Sequence, residues 1–133
     1  MYDPDLEMLF WDSNSYSPLT NKKAVEETIT TLKHSQEAFR SRNITLIMAV
    51  MVSKTTLYAK NYRNIDAKKE SLYVLENEME KNGIHHVKLL NVMRNQKELL
   101  YTKDDGHWNS FANEIIASEL NKKISELQGS EGE

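Results

Sequence analysis

The chain has 133 residues, of which 39% are hydrophobic and 28% charged, and its net charge is −3 at pH 7. This composition is typical of one soluble globular domain, and the interspersed acids and bases give no basic stripe for binding nucleic acid. The absence of cysteine excludes disulfides and thiolate chemistry, and no apolar run reaches the roughly 18 residues that indicate a transmembrane helix.

The first predicted helix follows an irregular region of 19 residues. The start, MYDPDLEMLF, is acidic and lacks the basic and apolar segments of a signal peptide, although LEMLFW could form a weak strand. The next stretch, WDSNSYSPLT, is rich in turn-forming residues. The helix is predicted from a cap at Thr20 to about Arg42. Its apolar positions recur at helical spacing and are Val25, Ile29, Leu32 and Phe39.

A continuous apolar run from Ile44 to Val52 comes next and ends at a Ser–Lys pair. A run of this kind predicts a central parallel strand that is buried on both faces. Nearly complete burial is expected for its middle residues: Leu46, Ile47, Met48, Ala49 and Val50. The sequence VSKTTLYAKNYRN should then form a loop that leaves the C-terminal end of the strand.

The second half of the chain predicts a helix, a strand and a further helix. The helix is capped by Asp66, reaches about Asn82 and stops at Gly83, a residue that favours the left-handed conformation. A shorter strand is predicted over HHVKLLNV, followed by a short helical or irregular piece from 93 to 100. The last helix is predicted from Asn109 to Leu127, with a flexible tail over 128–133.

Alternation of helices and strands predicts a fragment of a three-layer α/β/α sandwich with a mostly parallel sheet, in a single and partial domain over 1–133. Two confident strands make a small sheet, because a central strand needs a neighbour on each side. Three sources could complete the sheet: further strands in ambiguous segments, a partner chain in an oligomer, or a missing C-terminal portion.

The loop YTKDDGHWN, before the last helix, carries the residues that favour chemistry. Side chains two positions apart in an extended loop project to the same side, so Asp105 and His107 could meet across Gly106. A carboxylate at Nδ1 would fix the imidazole tautomer and leave Nε2 as a base, as in a serine triad. Trp108 could wall a pocket, and Asn109 could cap the helix. The alternative is a plain turn and helix cap.

Read together, these segments resemble the SGNH-hydrolase-like domains of the alginate O-acetyltransferase (AlgX/AlgJ) type. The family shows a strand ending in a Pro-x-Lys-x-x-x-Tyr-like segment, which appears here as Val52, Ser53, Lys54 and Tyr58 without the proline. It later shows Tyr-x-x-x-Asp-x-His-Trp-Asn before a helix, which appears here as Tyr101, Asp105, His107, Trp108 and Asn109. The resemblance covers roughly residues 8 to 125.

The resemblance implies acetyl transfer or ester hydrolysis on a bacterial envelope polysaccharide, with a carbohydrate substrate, an acetyl donor and no cofactor or metal. Asp105 and His107 would be catalytic. The candidate substrate-binding residues are Lys54, Tyr58, Tyr101, Trp108 and Asn109. The family's nucleophilic serine lies later, in a Gly-Asp-Ser turn, and no such turn is found in these 133 residues. The resemblance also implies a periplasmic or envelope location.

Two alternatives remain at this point. In ordinary SGNH esterases the serine comes first, and LFWDSNSYS superficially resembles that block, with Ser13 as nucleophile. In the second alternative the chain is a truncated or degenerate domain that acts in binding or assembly. The adjacent His85 and His86 have no acid at ligand spacing, so the sequence indicates no metal site.

Overall fold

The computed structural model describes residues 2–3, 8–9, 21–58 and 71–130. Its helices are α1 (Lys22–Arg40), α2 (Lys54–Leu57), α3 (Ser71–Lys81), α4 (Leu89–Arg94) and α5 (Ser110–Ser130). Its strands are β1 (Tyr2–Asp3), β2 (Met8–Leu9), β3 (Met48–Ala49) and β4 (His86–Val87). Strands β1 and β2 form an antiparallel pair, and β3 and β4 form a parallel pair. None of the helices in these ranges is long and apolar enough to cross a membrane.

The parallel pair of β3 and β4 confirms the predicted fold class, a fragment of an α/β fold with few strands. Met48 lies opposite His86 and Ala49 opposite Val87, and the connection between the two strands passes through α2 and α3. A parallel pair needs such a crossover, because a short turn cannot bring the second strand back in the same direction.

The apolar run from Ile44 to Val52 differs from its prediction in strand length and in burial. Only two residues of the run, Met48 and Ala49, form a strand. Val52 is the one fully buried residue of the run, whereas Ala49 is exposed, and Ile44 and Met51 are 48% and 37% exposed. Thr45 is also exposed, and the other four residues are half-buried: Leu46, Ile47, Met48 and Val50. The prediction of nearly complete burial is therefore wrong, because β3 has one strand neighbour, β4, within the described residues.

The prediction of a strand over HHVKLLNV is confirmed only for His86 and Val87 and is wrong for the residues that follow. Strand β4 ends at Val87, and α4 begins two residues later at Leu89. The buried Glu76 of α3 accepts a hydrogen bond from the Leu90 backbone N–H at 3.2 Å, which satisfies one of the unpaired donors at the start of α4. Burial raises the pKa of Glu76. The helix is thus favoured by a partner from a distant segment.

Within the described residues, the bounds of α1 and α5 and the end of α3 lie within three positions of the predicted ones. Asn21 caps α1 by accepting from Ala24 N at 3.2 Å, whereas the predicted caps Thr20 and Asp66 lie outside the described residues. Gly83 ends α3 with φ of +66°, as predicted. Helix α5 continues to Ser130, so the prediction of a flexible tail from residue 128 is wrong for residues 128–130, which are helical. Strand β2 lies within the segment LEMLFW, where a weak strand was predicted.

Among the described residues, the buried side chains form two clusters. One cluster joins α1 to α3 through Ile29, Met79 and Ile84. The other lies beneath the loop of residues 101–109, and it consists of Val52, Leu57, Val87, Leu89, Leu90, Met93, Leu100, Tyr101 and Ala112. The second cluster brings the end of β3, α2, α4 and the start of α5 together, and so it fixes the base of that loop.

Candidate functional site

Residues 101–109 form a loop that is closed at its base by an antiparallel bridge between Tyr101 and Trp108. Thr102 N donates to His107 O at 3.2 Å, and Asn109 N donates to Leu100 O at 2.9 Å. These bonds bring the two ends of the loop together and place Asp105 at its exposed tip. We name this segment the Asp–His loop.

Asp105 and His107 are in direct contact at the tip of the Asp–His loop. His107 Nδ1 lies 2.9 Å from both carboxylate oxygens of Asp105, and Gly106 N donates to Oδ1 at 2.5 Å. The side chain of His107 is 84% exposed, and that of Asp105 is 55% exposed. The carboxylate is on the Nδ1 side, as the sequence predicted, and Nε2 points away from it. This arrangement is the one that turns Nε2 into a base.

The contact lowers the pKa of the Asp105 carboxyl below its ordinary value. The hydrogen bond from His107 is the largest cause, and the Gly106 N–H adds to it. Because the carboxylate is favoured in the folded state, its contribution to stability is present above the ordinary pKa. That contribution is lost as the pH falls through the lowered pKa.

Replacing His107 by alanine is therefore expected to raise the pKa of Asp105 toward the ordinary value of 3.8. The physical reason is loss of the largest hydrogen bond to the charged form of the carboxyl. A pH titration followed by carboxyl carbon NMR measures this pKa directly. His34→Ala, at an exposed position on α1, is the control and should leave the pKa of Asp105 unchanged. An Asp105 pKa that is equal in His107→Ala and the parent chain would mean that the two side chains do not meet in solution.

Lys54 lies at the start of α2, just after the apolar run, and its side chain reaches the Asp–His loop. Ser53 caps this short helix by accepting from Thr56 N at 3.2 Å. The Lys54 ammonium donates to three backbone carbonyls: Thr102 O at 2.7 Å, Lys103 O at 3.1 Å and Asp105 O at 2.9 Å. Lys54 is only 6% exposed, and burial lowers its pKa while the nearby Asp104 and Asp105 oppose that shift.

Two tyrosines join the base of the Asp–His loop to the rest of the domain. Tyr58 accepts a hydrogen bond from Leu100 N at 2.9 Å, and the buried Tyr101 donates its hydroxyl to Val52 O. The two rings pack edge to face with their centroids 6.4 Å apart. Burial raises the pKa of Tyr58, and it raises that of Tyr101 to about 12. Both hydroxyls are consequently protonated near neutral pH.

Trp108 and Asn109 connect the loop to the start of α5. Asn109 donates from Nδ2 to Leu99 O at 2.5 Å and accepts at Oδ1 from Ala112 N at 3.2 Å, so it caps the helix as predicted. Trp108 donates from Nε1 to Asn113 Oδ1 at 2.6 Å and is 40% exposed. The indole is thus held at its N–H while part of its ring faces solvent.

Sequence reasoning missed the residues that support this site from outside the loop. The prediction of a loop over 52–64 is wrong for residues 54–57, which form α2. The signal for this helix is the spacing of Ser53 and Thr56, which is that of a helix cap and its partner. It also missed Asn113 as the partner of the Trp108 indole. Ser13 lies outside the described residues. Within the described ranges, no group of three or more acids and histidines could hold a metal ion.

Comparison with known proteins gives two matches. A family model described as "SGNH hydrolase-like domain, acetyltransferase AlgX" matches residues 8–133. Among solved structures, the chain is similar to the O-acetyltransferase domain of Pseudomonas putida AlgJ, with a TM-score of 0.64 and 15% sequence identity. That alignment covers 85% of this chain and 45% of the AlgJ chain, and a likeness at this identity shows the fold. No curated protein matches the chain.

Proposed function

Because the chain belongs to the SGNH hydrolase-like family of the acetyltransferase AlgX, we propose that it supplies the Asp–His half of a serine triad for acetyl transfer to a polysaccharide. The observation that carries this proposal is the Asp105 carboxylate at 2.9 Å from Nδ1 of His107. An orienting carboxylate at Nδ1, with Nε2 turned outward, is what a triad needs from these two residues.

In the proposed reaction, His107 acts first as a base and then as an acid. Nε2 takes the proton from a serine hydroxyl as the serine oxygen attacks the acetyl carbonyl of the donor. The tetrahedral intermediate collapses, and the leaving group of the donor takes the proton from Nε2. A sugar hydroxyl, deprotonated by His107, then attacks the acetyl-serine and releases the serine with its proton restored. Asp105 holds the ring and stabilises the imidazolium, and these steps need no metal or organic cofactor.

We place the nucleophilic serine outside the described residues. The described Ser53, which lies on the same side of the fold as the loop, is committed to the α2 cap through Thr56. The sequence suggested two sources, Ser13 and sequence that is not part of this chain. The resemblance to AlgX-type domains favours the second source, because in that family the serine block follows the Asp–His motif. The chain spans 45% of the AlgJ chain that it matches.

The other candidate substrate residues divide into two groups in this proposal. Tyr58, Tyr101 and Asn109 hold the loop, since their polar atoms bond to backbone groups of the chain. Trp108 keeps an exposed ring face next to His107, and an exposed indole is suited to packing against the apolar face of a sugar. We therefore propose Trp108 as the substrate contact of this set.

A second candidate function is binding or assembly by a catalytically inactive domain. The observation that favours it is the exposed apolar surface along the β3 run, where Ile44 and Met51 are 48% and 37% exposed. Exposed apolar side chains beside a strand edge are suited to contact with another polypeptide.

The test is acetyl transfer by the protein in the form that its gene encodes. The protein is incubated with nitrophenyl acetate and a polysaccharide acceptor, and polymer-bound acetyl groups are measured. The enzymatic proposal expects acetylated polymer with the parent protein and none above background with Asp105→Asn or His107→Ala. Transfer that survives both substitutions, or no transfer by the parent, would overturn it, and the second outcome favours the binding role.

A further inference from the structure

We propose that Lys54 is a positioning residue, which holds the backbone of residues 102–105 so that Asp105 meets His107. This inference rests on the proposed function only for its catalytic meaning, because the positioning itself can be measured without activity. Of the two roles that the sequence left open for Lys54, binding a substrate group and holding the active-site loop, the proposal takes the second.

The first argument is the match between donors and acceptors. An ammonium carries three N–H donors, and three carbonyl oxygens lie within 3.1 Å of the Lys54 nitrogen. All three belong to one four-residue segment that is at least 48 positions away in the chain. With 6% of the residue exposed, the ammonium is aimed at this segment and not at solvent. Its contacts therefore serve the conformation of the loop.

The second argument is that the loop needs a cation to adopt this shape. Residues 102–106 are all exposed, so little side-chain packing holds them in place. Carbonyl groups that converge on one point repel one another through their dipoles, and a positive charge at that point reverses the sign of the interaction. Without it, the three carbonyls would lose these hydrogen bonds, and the segment would turn them toward water.

The third argument links the carbonyls to the proposed catalytic pair. Asp105 uses its backbone oxygen for Lys54 at 2.9 Å and its carboxylate for His107 at 2.9 Å. A rotation of the backbone that frees this carbonyl also moves the carboxylate. Asp105 therefore links the Lys54 ammonium directly to the Asp105–His107 contact, through its backbone oxygen on one side and its carboxylate on the other.

A lysine suits this position better than an arginine. The ammonium is compact and directs three donors tetrahedrally, whereas the guanidinium is a planar fork that matches carboxylate and phosphate groups. Arginine keeps the charge yet cannot place three donors on three carbonyls that converge on a point. Comparing Lys54→Met with Lys54→Arg thus separates the geometry of the donors from their charge.

The experiment measures the Asp105 carboxyl pKa by carbon NMR in Lys54→Met, Lys54→Arg and the control Lys97→Met. Lys97 is exposed and lies outside the Asp–His loop, so Lys97→Met makes the same replacement of lysine by methionine without changing the loop. We expect both Lys54 variants to raise the pKa of Asp105 toward the value found in His107→Ala. Lys97→Met should leave it unchanged. Exchange of the Thr102 amide, which bonds to His107 O, should become about tenfold faster, given what a hydrogen bond to a charged group contributes.

A double substitution distinguishes positioning from direct attraction between Lys54 and Asp105. If Lys54 acts through His107, Lys54→Met should add almost nothing to the Asp105 pKa once His107 is alanine. An equal rise in both backgrounds would show a plain charge effect and would overturn the proposal, as would a parent-like pKa in both Lys54 variants. If circular dichroism shows that Lys54→Met lowers helix content, Lys54→Arg decides alone by the same titration. A positive result with no acetyl transfer by the parent protein would reject the proposed function and leave the positioning role standing.

Discussion

The purified 133-residue chain is expected to hydrolyse nitrophenyl acetate no faster than the buffer blank plus the slow background of surface nucleophiles. With the serine outside this chain, as proposed, there is no covalent route, and loss of the serine from a triad costs about six powers of ten in turnover. His107→Ala should therefore change nothing measurable in this chain. The measurement is nitrophenolate release at constant pH, with free imidazole as a positive control for the assay.

One outcome of that assay would identify a different nucleophile. If the chain turns over the ester, and Ser13→Ala and His107→Ala each abolish turnover, then Ser13 is the serine of the triad. The placement of the serine outside this chain would then be wrong. Ser125→Ala serves as the matched control, because this serine is exposed on α5 and bonds to the Asn121 carbonyl, away from the proposed chemistry.

Replacing Leu90 by alanine is expected to lower the free energy of unfolding by about 2–5 kcal/mol, the usual range for a fully buried leucine. Leu90 has no exposed surface, and it belongs to the cluster beneath the Asp–His loop. The loss is a large part of the total stability of a domain of this size, which is about 5–15 kcal/mol. Urea unfolding followed by circular dichroism measures it.

Two controls define that result. Ile124→Ala removes an aliphatic side chain that is 41% exposed on α5 and should cost far less than Leu90→Ala. Leu90→Met keeps the volume and should cost less than about 1.5 kcal/mol. Equal losses for Leu90→Ala and Ile124→Ala would contradict the assignment of Leu90 to the core.

Much of the fold could be predicted because its signals are local. Helical spacing on α1, a glycine at the end of α3 and an asparagine before α5 each act within a few residues, and each is where the sequence predicted it. The contact between Asp105 and His107 is local too, since two residues in one tight loop need no other element to meet. The geometry of this pair was therefore accessible from the sequence.

The parts that could not be predicted depend on distant segments. The apolar pattern of residues 85–92 predicted a strand, whereas residues 89–94 form a helix whose first turn is supported by Glu76 from α3. Burial of the run around Ala49 depends on how many strands flank it, which no pattern within the run can report. The contact of Lys54 with the Asp–His loop joins residues 48 to 51 positions apart, so the spacing within a short segment could not identify its partners.

The one-sided pairing of β3 has a consequence for the behaviour of the protein at high concentration. Among the described residues, the edge of β3 that faces away from β4 presents its backbone groups beside the exposed Ile44 and Met51. An unpaired edge next to apolar side chains is a template for strand addition between identical molecules, which leads to aggregates. The brevity of β3, two residues, is the feature that limits this hazard, because so short an edge offers few hydrogen bonds to an incoming strand.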